Sequence, residues 1–320
     1  MKQLLKQKGS ETMSDYKYVF GPVPSRRMGL SLGISPIPKK YCNYSCIYCQ
    51  LGRTKNLTNK REEFFKVEEI IDEFKKYISE DTAFDVVTIV GEGEPTLYLK
   101  IGKLIEELKK NTVKPVTVIT NGALLYDRDV REELKNADIV LPSLDAANEK
   151  NFKEINRPYG RINFTQVVEG LRKFSNNYQG ELWLETMILK NINDREKDLM
   201  EFKSILDTIK HNRLYINTPV RPPAENYVEQ PSKDSIEKAI NILRGISIDE
   251  LISEGFYSRI KDDYTAIKTI IKRHPMNQYE IKSFLKSRSC KNTEGILNRL
   301  ENDTAIEIIQ YKNYKTYRFK

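Results

Sequence analysis

Phe84-Asp-Val-Val-Thr-Ile-Val90 is a short apolar run that passes straight into Gly91-Glu-Gly-Glu-Pro95. Bounded this closely by turn residues, it reads as a buried strand. Before it, Val67, Ile70, Ile71, Phe74 and Ile78 recur every three or four residues and predict a helix over 67–78. After it, 101–108 reads as a helix and 116–120 as the next strand. The alternation extends both ways. Strands are expected at 30–37, 139–144, 181–189 and 213–218, and helices at 129–134, 163–174, 194–209 and 232–243. Six strand–helix units in series imply parallel strands with right-handed helical crossovers. Periodicity leaves two α/β architectures open, a doubly wound sheet or an incomplete (β/α) barrel. In both, chemistry belongs at the C-terminal strand ends.

The 320 residues suit about two domains. The expected division is a polar tail (1–16), the α/β unit (17–244), a linker (245–262) and a small basic unit (263–320). Hydrophobic residues at 39% and charged residues at 31% exclude a disordered chain and a membrane bundle. The first residues carry charges where a signal peptide needs an apolar stretch, so a cytoplasmic protein is expected. Net charge is +8, and residues 261–320 hold 13 basic against 7 acidic side chains. That bias suits an anionic partner such as nucleic acid, or simply a solvated basic surface.

In the last unit, helices are expected at 264–273, 278–285 and 293–300, with a break at His274-Pro275 and strands at 305–311 and 316–319 turning at Asn313. Three short helices closed by a hairpin describe a winged helix-turn-helix. Asn277 with Glu280 three residues on has the form of a capping box. The hairpin interleaves Lys312, Lys315, Arg318 and Lys320 with Tyr311, Tyr314 and Tyr317, which suits phosphate contact and base stacking. A protein-docking or purely structural cap is the alternative.

Three of the four cysteines fall together as Cys42-Asn-Tyr-Ser-Cys46-Ile-Tyr-Cys49, and Cys290 stands alone as an expected helix-junction residue. Secreted disulfide frameworks spread their cysteines in pairs. Clustered thiols point to a soft metal. Structural zinc needs four ligands, and His211 and His274, the only histidines, lie far off in sequence. A [4Fe–4S] cluster with one iron left open fits three cysteines, while zinc and buried structural thiols remain as alternatives.

This cysteine run, with aromatic Tyr48 before its last member, resembles the cluster loop of the radical S-adenosylmethionine (SAM) superfamily. Further positions match in order over roughly residues 20–243: Val90-Gly-Glu-Gly-Glu-Pro-Thr96 after the second strand, Thr120-Asn-Gly122 after the third, and Ser143-Leu-Asp145 after the fourth. Phe20-Gly-Pro-Val-Pro-Ser-Arg-Arg27 is similar to the opening of a branch grouped with wyosine-synthase-like proteins. The resemblance implies a partial (β/α)6 barrel with Cys42, Cys46 and Cys49 on a [4Fe–4S] cluster, and SAM on the open iron. It also implies reductive cleavage of SAM to a 5′-deoxyadenosyl radical, fed by a donor such as flavodoxin or ferredoxin. The implied cofactor contacts are Tyr48, Gly91, Gly93, Glu94, Pro95, Asn121, Ser143, Asp145 and Asn217. Glu94 would serve through its carboxylate or a neighbouring carbonyl.

Glu185, an acid inside the apolar run 182–189, needs a partner or ligand. Arg26, Arg27 and Arg221 flank the ends of the strand series, where a substrate could meet them, or they form surface salt bridges. Arg27, Glu185 and Arg221 are the candidate substrate-side residues. His274 reads as a turn residue. No second cysteine cluster exists, which argues against wyosine-type tRNA chemistry. The alternatives to a radical SAM enzyme are an Fe–S redox sensor that binds nucleic acid and an activating enzyme that installs a radical on a partner protein.

Overall fold

The computed structural model describes residues 16–79, 83–248, 255–258, 260–311 and 314–320. Nearly all of the expected tail, part of the 245–262 linker, Lys312 and the Asn313 turn lie outside the described residues.

β1 (Val19–Ser25) and β2 (Gly29–Ile34) form an antiparallel hairpin. The short parallel pair β3 (Tyr41–Cys42) and β4 (Asn56–Leu57) brackets the cysteine loop. The parallel series continues from β2 through β5 (Val86–Ile89), β6 (Val116–Thr120), β7 (Ile139–Pro142), β8 (Glu181–Met187), β9 (Arg213–Asn217) and β10 (Ile246–Ser247), giving the order β1-β2-β5-β6-β7-β8-β9-β10. The intervening helices are α1 (Val67–Ile78), α2 (Ile101–Asn111), α3 (Arg128–Leu134), α4 (Glu149–Ile155), α5 (Phe164–Asn177), α6 (Glu196–Leu206) and α7 (Lys233–Leu243). In α1 Val67, Ile70, Ile71 and Phe74 of the expected stripe are buried, with Tyr77 buried beside a half-buried Ile78, and acids in the first turn and lysines in the last are both favourable to the helix dipole.

Strand alternation separates the two faces of the sheet. On β8, Leu182 and Leu184 join the large core under the helices, as does Ile188 just past its end, while Trp183 packs inside with Leu141, Tyr215 and Ile248. Arg26, in the β1–β2 turn, donates to the Ile248 carbonyl at 3.3 Å, so the sheet curls until its two ends meet through a side chain. This is a mixed α/β fold with a curled parallel sheet. Its hairpin strand β1 escaped the sequence reading because Pro22 and Pro24 break the alternation; an edge strand tolerates them. The seven-residue α4 and two-residue β10 also escaped it.

The remaining elements are α8 (Asp263–Ile271), β11 (Met276–Asn277), α9 (Gln278–Ser287), α10 (Thr293–Glu301), β12 (Ile306–Tyr311) and β13 (Tyr314–Phe319). The three strands pair antiparallel in the order β11-β13-β12, and a separate core gathers Ile267, Ile271, Met276, Phe284, Leu300 and Tyr317. The capping box at Asn277 is present, with both hydrogen bonds formed. Cys290 packs beside this core between α9 and α10. Among the described residues, no helix is long and apolar enough to cross a membrane.

Candidate cofactor and substrate site

Cys42 ends β3, and Cys46 and Cys49 follow on a loop held from beneath by the segment after α4. Ser45 N–H donates to the Asn156 carbonyl at 3.0 Å and Ile47 N–H to that of Ile155 at 2.9 Å. Arg157, with φ of 45°, turns the chain away after these contacts. Ile47 is buried with Ile155, Leu189 and Val228, and Arg53 forks onto Glu225 with two bonds of 2.8 Å. Two amides face the sulfurs: Asn121 Nδ2 lies 3.7 Å from Cys42 Sγ and Asn156 Nδ2 lies 3.5 Å from Cys46 Sγ. Asn156 was missed by sequence reasoning. It belongs to no quoted motif, and the only signal was the short helix before it.

Burial pushes the Cys42 and Cys46 thiols well above their ordinary range, and the carboxylates of Glu94 and Asp145 respectively add to the shift. Burial also raises Cys49, against the pull of the Leu51 N–H, Arg318 and Lys40. The protein alone thus disfavours thiolates here, and a cationic metal centre is what would stabilise them. Among the described residues, no three His, Cys, Asp or Glu side chains gather closely enough to hold a single ion. A cubane bonds each thiolate to a different iron, so its ligands stand further apart. Three thiols on one loop are a donor set that a [4Fe–4S] cluster accepts.

The loop after β5 packs directly on this one. A Cβ on Gly93 would lie 1.8 Å from the Tyr41 carbonyl oxygen, next to Cys42. The glycine serves loop-against-loop packing as well as any ligand. Glu94, expected to serve SAM through its carboxylate or a neighbouring carbonyl, has its carboxylate engaged by protein groups. It is 2% exposed, and its oxygens accept from Thr96 N–H at 2.9 Å, Thr96 Oγ1 at 2.6 Å, Thr120 Oγ1 at 2.5 Å and Asn121 N–H at 2.7 Å. It clamps the loops after β5 and β6 together, and Pro95 behind it is buried at the start of a short 3-10 turn.

Asp145 is committed in the same way. It accepts from Tyr48 Oη at 2.5 Å, Asn156 Nδ2 at 2.8 Å and Met187 N–H at 2.9 Å, fixing Tyr48 within the cysteine loop. Ser143 bridges backbone to Glu185, and Asn121 Oδ1 accepts from Ala123 N–H at 2.9 Å. Of the nine expected cofactor contacts, Tyr48, Gly91, Gly93 and Asn217 line the cavity, while Glu94, Pro95, Asn121, Ser143 and Asp145 are not part of its lining.

That cavity has a volume of about 960 Å³ and also admits all three cysteines. Arg27 and Glu185 meet in it as an ion pair, and Asn217 Nδ2 donates to Glu185 at 3.3 Å. The lone acid of β8 thus has its partners. Arg27 stands in the β1–β2 turn, at the N-terminal end of β2, and reaches inward. Burial and the adjacent Arg26 charge lower its guanidinium to about 10.

Arg221 reaches the C-terminal unit: Nε donates to the Pro275 carbonyl at 2.6 Å, and Nη2 lies 2.6 Å from His274 Nε2 and 3.1 Å from Glu280 Oε1. His274, expected in a simple turn, is a half-buried partner of Arg221 at the cavity; desolvation and the charges of Arg221 and Arg26 lower its imidazole well below the usual range and keep it neutral. Other contacts ring the cavity. Tyr314 Oη donates to the Val220 carbonyl at 3.1 Å, Arg318 lies 3.4 Å from the Gln50 carbonyl, and Tyr311 donates to the Pro219 carbonyl. Lys315 pairs with Glu301, and Tyr317 is core. The hairpin's tyrosines and Arg318 therefore spend their polar groups on contacts within the chain. Asn277, Glu280, Ser283, Phe284 and Ser287 of α9 and its cap complete the cavity's lining.

A family model described as the Radical SAM superfamily matches residues 37–202, just over half of the chain. A UPF0026 protein of Methanocaldococcus jannaschii is 37% identical over 303 residues, spanning 91% of this chain and 92% of the relative. A radical SAM methyltransferase from Sphaerobacter thermophilus superposes with a TM-score of 0.51 at 17% identity, over 69% of this chain and 68% of that one. The AdoMet-bound anSMEcpe gives 0.50 at 21% identity, over 67% and 59%. The curled parallel sheet, the cysteine loop after its second strand and these matches agree: the chain belongs to the radical SAM superfamily, in its UPF0026 family.

Proposed function

We propose that this protein holds a [4Fe–4S] cluster on Cys42, Cys46 and Cys49 and cleaves SAM reductively to take hydrogen from a substrate in the adjoining cavity. The observation that carries this reading is three half-buried cysteines opening into the cavity that Gly91, Gly93, Tyr48 and Asn217 also line. When bound, the cluster and SAM supply an electron and a 5′-deoxyadenosyl radical.

The chain's own residues do the rest. Asn121 and Asn156 orient Cys42 and Cys46 and offer N–H to their sulfurs. Gly91 and Gly93 bare their backbone to the cavity, and Tyr48, clamped by Asp145, offers a fixed ring to an adenine. The Arg27–Glu185–Asn217 group supplies polar contacts to substrate, and Phe20, Val23, Met187 and Phe284 help exclude water. Lys39, Lys40, Lys55 and Arg318 lie near one another around the cysteine loop, a basic surface suited to an acidic flavodoxin or ferredoxin. Free thiols support a reducing, cytoplasmic setting.

The C-terminal element order supports a winged helix-turn-helix unit joined through 245–262. Its hairpin contacts to the α/β unit favour an enzyme wall over a DNA-binding redox sensor. Anaerobically reconstituted protein given SAM and dithionite should form 5′-deoxyadenosine; sequence-specific DNA binding without SAM cleavage would contradict the reading.

A further inference from the structure

Beyond the reaction class, we propose that the substrate is a compact anion, a carboxylate or a phosphate ester, held by Arg26, Arg27 and Arg221 in the cavity that α9 completes. The proposal deepens the radical SAM reading and rests on it.

Size is the first argument. A pocket for one drug-sized ligand measures about 300–1,000 Å³. The cavity's volume of about 960 Å³ leaves, beside SAM, room for a small molecule only. A nucleic-acid helix or folded polypeptide would have to displace the C-terminal unit. That unit is fixed at several points round the cavity: at Arg221, at Val220, at Gln50, and at Lys39, whose Nζ donates to the Lys320 carbonyl at 2.7 Å.

Charge is the second. The lining carries five cationic side chains, Lys40 and Arg273 besides the three arginines, against three carboxylates, Glu92, Glu185 and Glu280. Arg27 spends Nη1 on Glu185, and its Nε and Nη2 donate to nothing among the described residues. Arg221 spends Nε and Nη2 on the C-terminal unit and leaves Nη1 without an acceptor among the described residues. Planar N–H forks left open in a half-buried wall match an oxyanion. Burial and the Arg26 charge lower both guanidinium groups, a strain that a bound anion would relieve.

The test titrates full-length protein, without SAM or reductant, with inorganic phosphate and separately with succinate at constant ionic strength, read by calorimetry and by thermal unfolding. Saturable binding of at least one is expected, weakened about tenfold or more in Arg27→Gln, the scale of one charge-assisted hydrogen bond. Preference for phosphate indicates an ester and preference for succinate an acid. Arg27→Gln strips Glu185 of its ion-pair partner and could misfold. Ser283→Trp therefore puts a bulky ring at the cavity rim on α9 without changing charge, and should weaken binding comparably. Binding of neither anion overturns the proposal, as does binding that either folded variant leaves unchanged, or tight binding of single-stranded RNA that Ser283→Trp does not weaken. SAM cleavage by dithionite is assayed separately on the same samples. Its absence removes the radical SAM reading; cleavage without anion binding removes this proposal alone.

Discussion

Arg221 and Glu280 join the two halves of the molecule through a 3.1 Å contact, and Glu280 uses its other oxygen to accept from Asn277 N–H at 2.8 Å. One carboxylate thus caps α9 and fastens it to the segment after β9. Arg221→Met should leave Glu280 and His274 short of a partner at a cost on the order of 2 kcal/mol. Faster hydrogen exchange in α9 and a lower urea midpoint would show it. Unchanged exchange there would mean that Arg221 does not hold the unit in place.

Gly93→Ala should be among the most damaging single-methyl changes in the chain. Its Cβ would lie 1.8 Å from the Tyr41 carbonyl oxygen, so either the cysteine loop or the loop after β5 must move. The expected loss is about 3 kcal/mol, with poor iron incorporation on reconstitution. Gly160→Ala is the control, because nothing lies within 4 Å of its Cβ position. Similar melting temperatures for the two variants would refute the packing argument.

Glu94→Gln separates a clamp from a cofactor ligand. The clamp predicts that protein free of SAM loses about 1–3 kcal/mol, since an amide cannot accept all four hydrogen bonds. A residue serving only SAM would leave that stability unchanged.

These residues also mark how far the sequence could be read. Six of the seven parallel strands of the large sheet, most of the helices and the cysteine loop follow from periodicity and spacing, because the burial of Val67, Ile70, Ile71 and Phe74 or of Val86–Ile89 is set locally. The side-chain directions of Glu94 and Asp145 are set by Thr120, Asn121, Asn156 and Met187 on other strands and loops, so motif order located the loops without showing which atoms face inward. Glu185 announced its need for a partner, as a lone acid in an apolar strand. Its partner Arg27 was legible as a candidate but not as its mate, because the β1–β2 hairpin was hidden by two prolines. The docking of the C-terminal unit left no local trace, since Arg221, Tyr311, Tyr314 and Arg318 read equally well as solvent-facing groups.

Acid should loosen the C-terminal unit. Asp303 accepts from Lys268 Nζ at 2.6 Å, from Ala305 N–H at 2.8 Å and from the Tyr264 hydroxyl, and these bonds hold its carboxyl far below the usual aspartate range. A carboxyl with a depressed folded value contributes stability above its unfolded value and loses it as pH falls toward the folded one. Stability should therefore drop below about pH 4, near the ordinary aspartate value. Asp303→Asn should be weaker at neutral pH and flatter in that window; an unaltered acid profile would exclude Asp303 as the titrating group.

The most direct test is spectroscopy of anaerobically reconstituted wild-type protein beside Cys46→Ala, with and without SAM. The account predicts a [4Fe–4S] signal in the wild type that changes when SAM is added, and 5′-deoxyadenosine on reduction. Cys46→Ala should lose the signal and the product while its circular dichroism remains that of a folded α/β protein. Tetrahedral zinc in the wild type, or a cluster and SAM cleavage that survive Cys46→Ala, would contradict it.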